Sequence, residues 1–345
     1  MQQDAIPFSR PTTPRPALQI GWYGLGAMGY YMARNLSRSR PSGAAPLLVF
    51  NRTASKSDKL VQDVGSSAAR AATSLAQLAV ECDIVFTNLA NDAVVEQTYN
   101  EFAKALTQAP PTKSKIFVDT STVYPTLAGD IDRLLSTFSH CHFVTSPIFG
   151  PPPAADSAKL VIALSGDHRL KKEIAHLLVP AVGRKVMDLG GNIEKAPTFK
   201  LIGNSLIMGA NELLAEAFTF GEKAGIGQQT VLNLVKDIMP APGMVAYGEK
   251  MVADKFDGSV GFAINGGIKD ANHIRRLTAE LNSPMPAVDV AHQRMIAARA
   301  IFEAQKAAGT NKWDIIDWSA LIAGSRVAAG LDPFDSSKGK PIPDN

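Results

Sequence analysis

Cysteine is nearly absent: Cys82 and Cys141 are the only thiols in 345 residues. They are far apart and outside any metal-type spacing, which excludes a disulfide framework and points to a reducing compartment, the cytoplasm. The 6 histidines form no HxxxH-like ligand pattern, so no metal site is expected. No apolar run approaches the ~20 residues needed to span a bilayer. An excess of one charge is lacking too. The 35 Lys and Arg against 32 Asp and Glu leave a net +3 with no basic run, so neither nucleic acid nor a membrane surface has compositional support as a partner. What is present, 46% hydrophobic and 19% charged residues, is ordinary for a globular enzyme, and the chain is long enough for two domains.

Residues 1–17 hold Pro7, Pro11, Pro14 and Pro16 beside Ser and Thr. Arg10 and Arg15 faintly suggest a transit peptide, but the prolines spoil an amphipathic helix, and a disordered lead is the better reading. Residues 331–345 read as a loose tail. Between these ends the first half alternates strand-like segments (Leu18–Tyr23, Leu47–Phe50, Asp83–Asn88, Lys115–Asp119, His142–Ser146) with helix-like ones (Ser55–Asp63, Ser74–Val80, Asp92–Leu106, Pro125–Ser139). Such alternation predicts a Rossmann-type α/β domain with a doubly wound parallel sheet over 18–191. Leu160–Ser165 and Lys185–Asp188 extend that sheet in this reading, with His168–Leu178 as the helix between them. Past Gly190-Gly191 strand signals vanish, and 192–330 is expected to be an all-helical domain for substrate binding and oligomerisation. It opens with one long helical pattern over Ala196–Ala224.

The most informative segment is Leu18–Gly29, where an apolar strand runs into Gly24-x-Gly26-x-x-Gly29 and then a helical pattern. That context makes the glycines a dinucleotide-binding fingerprint. Gly24 permits the tight turn, Gly26 lets the backbone approach the pyrophosphate, and Gly29 lets helix and strand pack closely. Leu25, Ala27 and Met28 complete the loop whose free N–H groups face the phosphates. At the end of the second strand sits Asn51-Arg52-Thr53, where a chain preferring NAD usually has Asp or Glu. Arg52 can fork onto a 2′-phosphate, with neutral hydrogen bonds from Asn51 and Thr53 and positive field from Lys56, so the expected cofactor is NADP(H). The separation of Gly24 from Asn51 exceeds the usual ~20 residues, and Arg38–Pro46, rich in Ser, Pro and Gly, accounts for the excess as a surface insertion.

Within Phe199–Asn211, Lys200 is the only charge on a helix that is apolar nearly all round, a pattern that predicts burial. Asn204 lies about 40° and Asn211 about 20° from Lys200 around the axis. The resulting polar stripe suits a cleft wall. It is equally compatible with a lysine that snorkels at the helix start while the asparagines cap neighbouring loops. A lysine in a cleft could donate the proton when a hydride reduces a carbonyl.

The fingerprint, Asn51-Arg52-Thr53, Asp119-Thr-Ser-Thr-Val-Tyr-Pro125, Lys200-Leu-Ile-Gly-Asn204 and Lys269-Asp270 occur in one order. Together they resemble the β-hydroxyacid dehydrogenase family, which includes 3-hydroxyisobutyrate dehydrogenases and glyoxylate/succinic semialdehyde reductases. The resemblance covers Ile20–Ala329. It implies Lys200 as general acid/base, Asn204 as the residue that orients substrate and lysine, Thr122 at the nicotinamide end, and Leu89-Ala90-Asn91 lining the cofactor. It also implies that Lys269 closes over the cofactor, that Asp270 supports the site, and that the chain forms a homodimer. Read from the residues alone, Thr122 is also compatible with a turn hydroxyl and Lys269–Asp270 with a helix surface.

Two departures stand against the family pattern. Where the family has a P-V-S-G-G-like loop for a substrate carboxylate, this chain reads Ser146-Pro-Ile-Phe149-Gly150-Pro-Pro-Pro153. Phe149 replaces the hydroxyl, and three prolines remove three N–H donors. Pro197 precedes Lys200 where the family begins its helix with Gly-Ala, a position at which proline is tolerated. Phe149 and Gly150 are therefore expected to line a substrate that is larger, more apolar or uncharged at that end.

The leading expectation is an NADPH-dependent reductase of aldehyde or keto groups acting on a small-molecule substrate. Imine reduction is an alternative that Lys200 argues against, because related imine reductases generally lack that lysine. A cofactor-binding module without turnover is the third reading.

Overall fold

The protein is described by a computed structural model over residues 5–9 and 18–338. It divides into two units, Met1–Lys200 and Leu201–Asn345. In the first, strands and helices alternate as β1 (Ile20–Tyr23), α1 (Gly29–Ser39), β2 (Leu47–Phe50), α2 (Ala54–Val64), β3 (Ala69–Ala71), α3 (Leu75–Glu81), β4 (Ile84–Thr87), α4 (Asp92–Gln108), β5 (Lys115–Asp119), α5 (Pro125–Ser136), β6 (Cys141–Thr145), β7 (Ile148–Phe149), α6 (Pro152–Asp156), β8 (Leu160–Leu164), α7 (His168–Leu178) and β9 (Gly183–Asp188). Strands β1 to β6 form one parallel sheet in the order β3-β2-β1-β4-β5-β6.

Burial explains why this sheet is covered on both faces. Along its central strands, Ile20, Trp22, Ile84, Phe86, Ile116 and Val118 point into one apolar layer. Their neighbours Tyr23, Val85 and Phe117 point into another. Near-continuous apolar strands with alternate residues in two cores are what a doubly wound parallel sheet requires. Two of the helices between strands start at a short polar side chain that caps them: Ser74 accepts from Gln77 N before α3, and Asn91 from Val94 N before α4. The expected α/β architecture is thus present.

Two expectations for this unit need correction. Leu160–Leu164 and Gly183–Asp188 do not extend the six-stranded sheet. With β7 they make a separate three-stranded sheet, β7-β8-β9, in which β7 and β8 run antiparallel. Pro147 has no N–H with which to continue the β6 ladder, and the Thr145–Ser165 bridge links the two sheets. The lead is not disordered over residues 5–9: Val186 N donates to Ala5 O at 2.8 Å, and Phe8 is buried with its ring edge-on to His168. The rest of the expected lead, 1–4 and 10–17, lies outside the described residues. By contact the two units divide at Lys200/Leu201, inside a helix.

That helix is α8 (Lys195–Lys223), followed by α9 (Gln228–Ile238), α10 (Pro242–Val252), α11 (Ile264–Glu280), α12 (Pro286–Ala307) and α13 (Ile322–Ala328). The second unit is helical as expected, around one apolar cluster that includes Phe218, Met251, Phe256, Ile268, Met295, Phe302 and Trp318. The expected burial of α8 all round holds on one side only. Ile202, Leu206, Leu213 and Phe220 are exposed, Phe220 to 74%, and their spacing sets them along one stripe. The expected loose tail is also corrected over Leu331–Lys338. Phe334 is buried against Phe256 and Trp313, and Asp254 accepts from Ser336 N at 2.8 Å. Residues 339–345 lie outside the described residues. Among the described residues no helix is long and apolar enough to cross a membrane.

Candidate active site

The glycine loop joins β1 to α1. Gly24 has φ +97°, and a Cβ there would sit 2.2 Å from Asn88 O. Gly29 is closed in the same way, since its Cβ would lie 2.0 Å from Gly24 O. Only glycine fits either position. Gly26 differs: a Cβ there would meet nothing within 4 Å, so its backbone borders open space. No side chain caps the start of α1; Tyr30 N donates to Gly26 O, and a helix end without a capping side chain favours an anion. Leu25 is buried, Gly26 and Ala27 are exposed, and Met28 is half-buried. This cradle fits a dinucleotide pyrophosphate.

At the end of β2, Arg52, Thr53 and Lys56 are exposed, as a 2′-phosphate site needs. Asn51 is placed differently from the expectation. Its Oδ1 accepts from Leu25 N at 2.9 Å and its Nδ2 donates to Thr53 O at 3.1 Å. The side chain therefore ties the glycine loop to the end of β2, which leaves the polar reach toward a ribose to Arg52 and Thr53.

Beyond β4 and β5 a buried network joins the two loops that carry Leu89-Ala90-Asn91 and Thr122. Asp119 Oδ1 accepts from Thr87 Oγ1 at 2.8 Å and Ser121 Oγ at 2.7 Å. Ser121 Oγ in turn accepts from Leu89 N at 2.8 Å, and Asn88 Nδ2 donates to Thr120 Oγ1 at 2.9 Å. Tyr99 OH lies 3.1 Å from Thr87 Oγ1. Burial pushes the Asp119 carboxyl up to about 6, opposed by the hydrogen bonds from Ser121 and Thr87. The sequence motif contains Asp119 and Ser121 but assigns neither a role. Their signal is a carboxylate that directly follows the apolar run Ile116–Val118, where an acid is buried only if it is hydrogen-bonded. Thr122 itself is half-buried at the start of the next loop, and Ala90 and Asn91 are exposed.

Phe149 ends β7 and pairs with Val161 of β8. Its ring meets that of Phe199 edge to face, with centroids 5.6 Å apart, and Lys200 Nζ stands 4.6 Å from the Phe149 centroid. Gly150 follows at φ +137°, and Pro151–Pro153 open α6. Pro197 is accommodated in the first turn of α8, which continues unbroken through Lys200. Lys200 is thus a half-buried ammonium flanked by aromatic carbon. Such a group can give a proton to a developing alkoxide and take it back in the reverse direction.

In the second unit, Asn204 Nδ2 donates to Asp270 Oδ2 at 2.6 Å. Lys269 Nζ pairs with Asp270 Oδ1 at 2.9 Å, and both Asn204 and Asp270 are buried. The structure therefore joins Asn204 to a Lys–Asp pair far along the sequence, and Lys269–Asp270 is not a bare helix surface. Asn211 is fully buried, so the expected polar stripe is not an open wall at that end. Among the described residues no group of three or more His, Cys, Asp or Glu could hold a metal.

Comparison with known proteins agrees with this geometry. Residues 19–191 match the family model described as the NAD binding domain of 6-phosphogluconate dehydrogenase. Residues 195–312 match that described as NAD-binding of NADP-dependent 3-hydroxyisobutyrate dehydrogenase. The chain is 30% identical over 310 residues to the NADH-dependent oxidoreductase ucdB of Aspergillus ustus, covering 90% of this chain and 99% of that protein. It is 27% identical to 2-(hydroxymethyl)glutarate dehydrogenase of Eubacterium barkeri, over 89% of this chain and 94% of the relative. Among solved structures, Mycobacterium tuberculosis 3-hydroxyisobutyrate dehydrogenase with L-serine superposes with a TM-score of 0.70 at 22% identity, covering 90% and 100% of the two chains. With its glycine cradle, its buried Asp119 network and its lysine-bearing long helix, this chain belongs to the 3-hydroxyisobutyrate dehydrogenase (β-hydroxyacid dehydrogenase) family of nicotinamide-dependent oxidoreductases.

Proposed function

We propose that the chain is an NADPH-dependent reductase of aldehyde or keto groups, running reversibly as a hydroxyacid or alcohol dehydrogenase with Lys200 as general acid/base. The observation that carries this reading is the half-buried Lys200 ammonium, seated on Phe149 in the unit that also holds the glycine cradle. Bound nicotinamide supplies the hydride. Gly24–Gly29 hold the pyrophosphate on backbone N–H groups, and Arg52 with Lys56 takes the 2′-phosphate, which favours NADPH even though the Aspergillus ustus relative is named NADH-dependent. Leu89–Asn91 and Thr122 line the cofactor, held by the Asp119–Ser121 network.

Lys200 Nζ donates its proton to the carbonyl oxygen as negative charge builds there, and the neutral amine regains a proton from solvent. Asn204, Lys269 and Asp270 bear on substrate and cofactor as the family resemblance implies. The exposed stripe Ile202–Leu206–Leu213–Phe220 is covered by a second copy, giving a homodimer. The free thiols Cys82 and Cys141 suit the cytoplasm.

General acid catalysis contributes about 100- to 10,000-fold. Lys200→Met should lower kcat for carbonyl reduction by about that factor and leave NADPH binding, read by fluorescence titration, intact. The test is NADPH oxidation with a panel of aldehydes and ketones beside preformed cyclic imines. Faster turnover of the imines transfers the assignment to C=N reduction. Tight NADPH binding with no turnover of any compound identifies a binding module.

A further inference from the structure

Three observations converge on Phe149. Its ring face carries the Lys200 ammonium, with Nζ 4.6 Å from the centroid. Its flank meets Phe199, the residue before Lys200, at an interplanar angle of 80°. Its backbone is fixed by the ladder to Val161 on one side. On the other side is Gly150, where an added Cβ would lie 2.8 Å from Leu160 Cδ2. A ring held this firmly presents the negative face of its quadrupole to the ammonium, and it offers a carboxylate no hydrogen-bond donor. The adjoining Pro151–Pro153 supply no N–H donors either, so nothing in this segment replaces the hydration a carboxylate would lose.

We propose that Phe149 is a positioning residue that holds the Lys200 ammonium at its ring face and, with the donor-poor segment Gly150–Pro153, selects carbonyl substrates without a carboxylate, namely neutral aldehydes or ketones. The inference rests on Lys200 acting as the proton donor. An aliphatic side chain of similar bulk fills the space but has no π face, so the effect belongs to the ring and not to its volume. Removing a cation–π contact of this kind corresponds to about a 2- to 30-fold loss in the step it supports.

The test compares Phe149→Leu and Phe149→Tyr with the parent enzyme, together with matched substrates such as butanal with succinic semialdehyde and hexanal with 6-oxohexanoate. Phe149→Leu should lower kcat by about 2- to 30-fold with KM for NADPH unchanged, whereas Phe149→Tyr, which keeps the ring, retains most of kcat. In the parent enzyme the uncharged member of each pair should show the higher kcat/KM, a comparison that needs no variant to fold. If Phe149→Leu matches the parent while Lys200→Met is inactive, or if the carboxylates are turned over as well as the neutral members, the proposal is overturned and the role of Lys200 stands. If Lys200→Met retains full turnover, or no carbonyl compound is reduced, both readings fall together.

Discussion

The buried Asp119 allows a stability prediction that is independent of any substrate. Its carboxyl is raised from the usual 3.8 to about 6, chiefly by burial. The folded chain therefore holds this proton more tightly than the unfolded chain does. The stabilisation is fully present below pH 4 and is lost as the pH climbs through about 6, because ionising the acid costs more in the folded state. Each tenfold difference in proton affinity between the folded and unfolded chains is worth about 1.4 kcal/mol. The loss between pH 4 and pH 7 is then on the order of 3 kcal/mol.

Asp119→Asn removes this titration while keeping an oxygen that can accept from Thr87 and Ser121. Its new NH2 group then needs partners, which costs about 1–3 kcal/mol at every pH. Urea denaturation of both proteins at pH 4.5, 5.5 and 7 separates the two effects. The stability difference between variant and parent should move by about 2–3 kcal/mol in favour of the variant on going from pH 4.5 to 7. Glu212 is also raised, to about 7, by burial, but it titrates in both proteins and cancels in the difference. A stability gap that is flat across the three pH values would refute the account of Asp119 as a buried acid that holds its proton more tightly in the folded chain than in the unfolded one.

Two further outcomes follow from the cofactor end and from the start of the chain. Arg52→Glu should raise KM for NADPH by about 10- to 100-fold, the equivalent of one charge-assisted hydrogen bond, and leave KM for NADH unchanged or lower. Equal effects on both cofactors in steady-state assays would show that Arg52 does not meet the 2′-phosphate. Phe8→Ala should cost about 3 kcal/mol in urea denaturation, because the ring is buried beside His168 and Lys171. A loss under about 0.5 kcal/mol, the usual range for surface substitutions, would mean the segment contributes no packing.

The parts of the fold legible in the sequence are those written in local pattern. Runs such as Ile84–Phe86 and Ile116–Val118 are apolar without interruption because both faces of the sheet are covered, and a run bounded by turn residues can be recognised in isolation. Strand β3 escapes because it is three residues long and only Ala69 is buried. It exists through its pairing with β2, which no local pattern records. The separate three-stranded sheet escapes for a similar reason: the apolar run Leu160–Leu164 shows a strand but not which neighbour it pairs with.

The site divides in the same way. Gly24, Gly29 and Lys200 stand out because each residue type is costly in its setting unless the structure requires it. The tie from Asn51 to Leu25 N, the Asn204–Asp270 bond and the Thr87–Asp119–Ser121–Leu89 chain join residues distant in sequence, and only the folded arrangement shows them. Phe8 is hidden by its proline-rich surroundings, whose composition outweighs one aromatic ring.

The short segment Ala5–Ser9 has an effect on solubility. β9 is the outer strand of the small sheet, and an outer strand with open N–H groups is a template on which foreign chains can assemble. Ala5 occupies Val186 N, and Ser9, through its bond to Lys172, helps hold the segment down along α7. Trimming the protein to begin at the first strand of the large sheet would uncover that margin, so a shortened form meant for crystals or assays is prone to self-association even with its catalytic machinery intact.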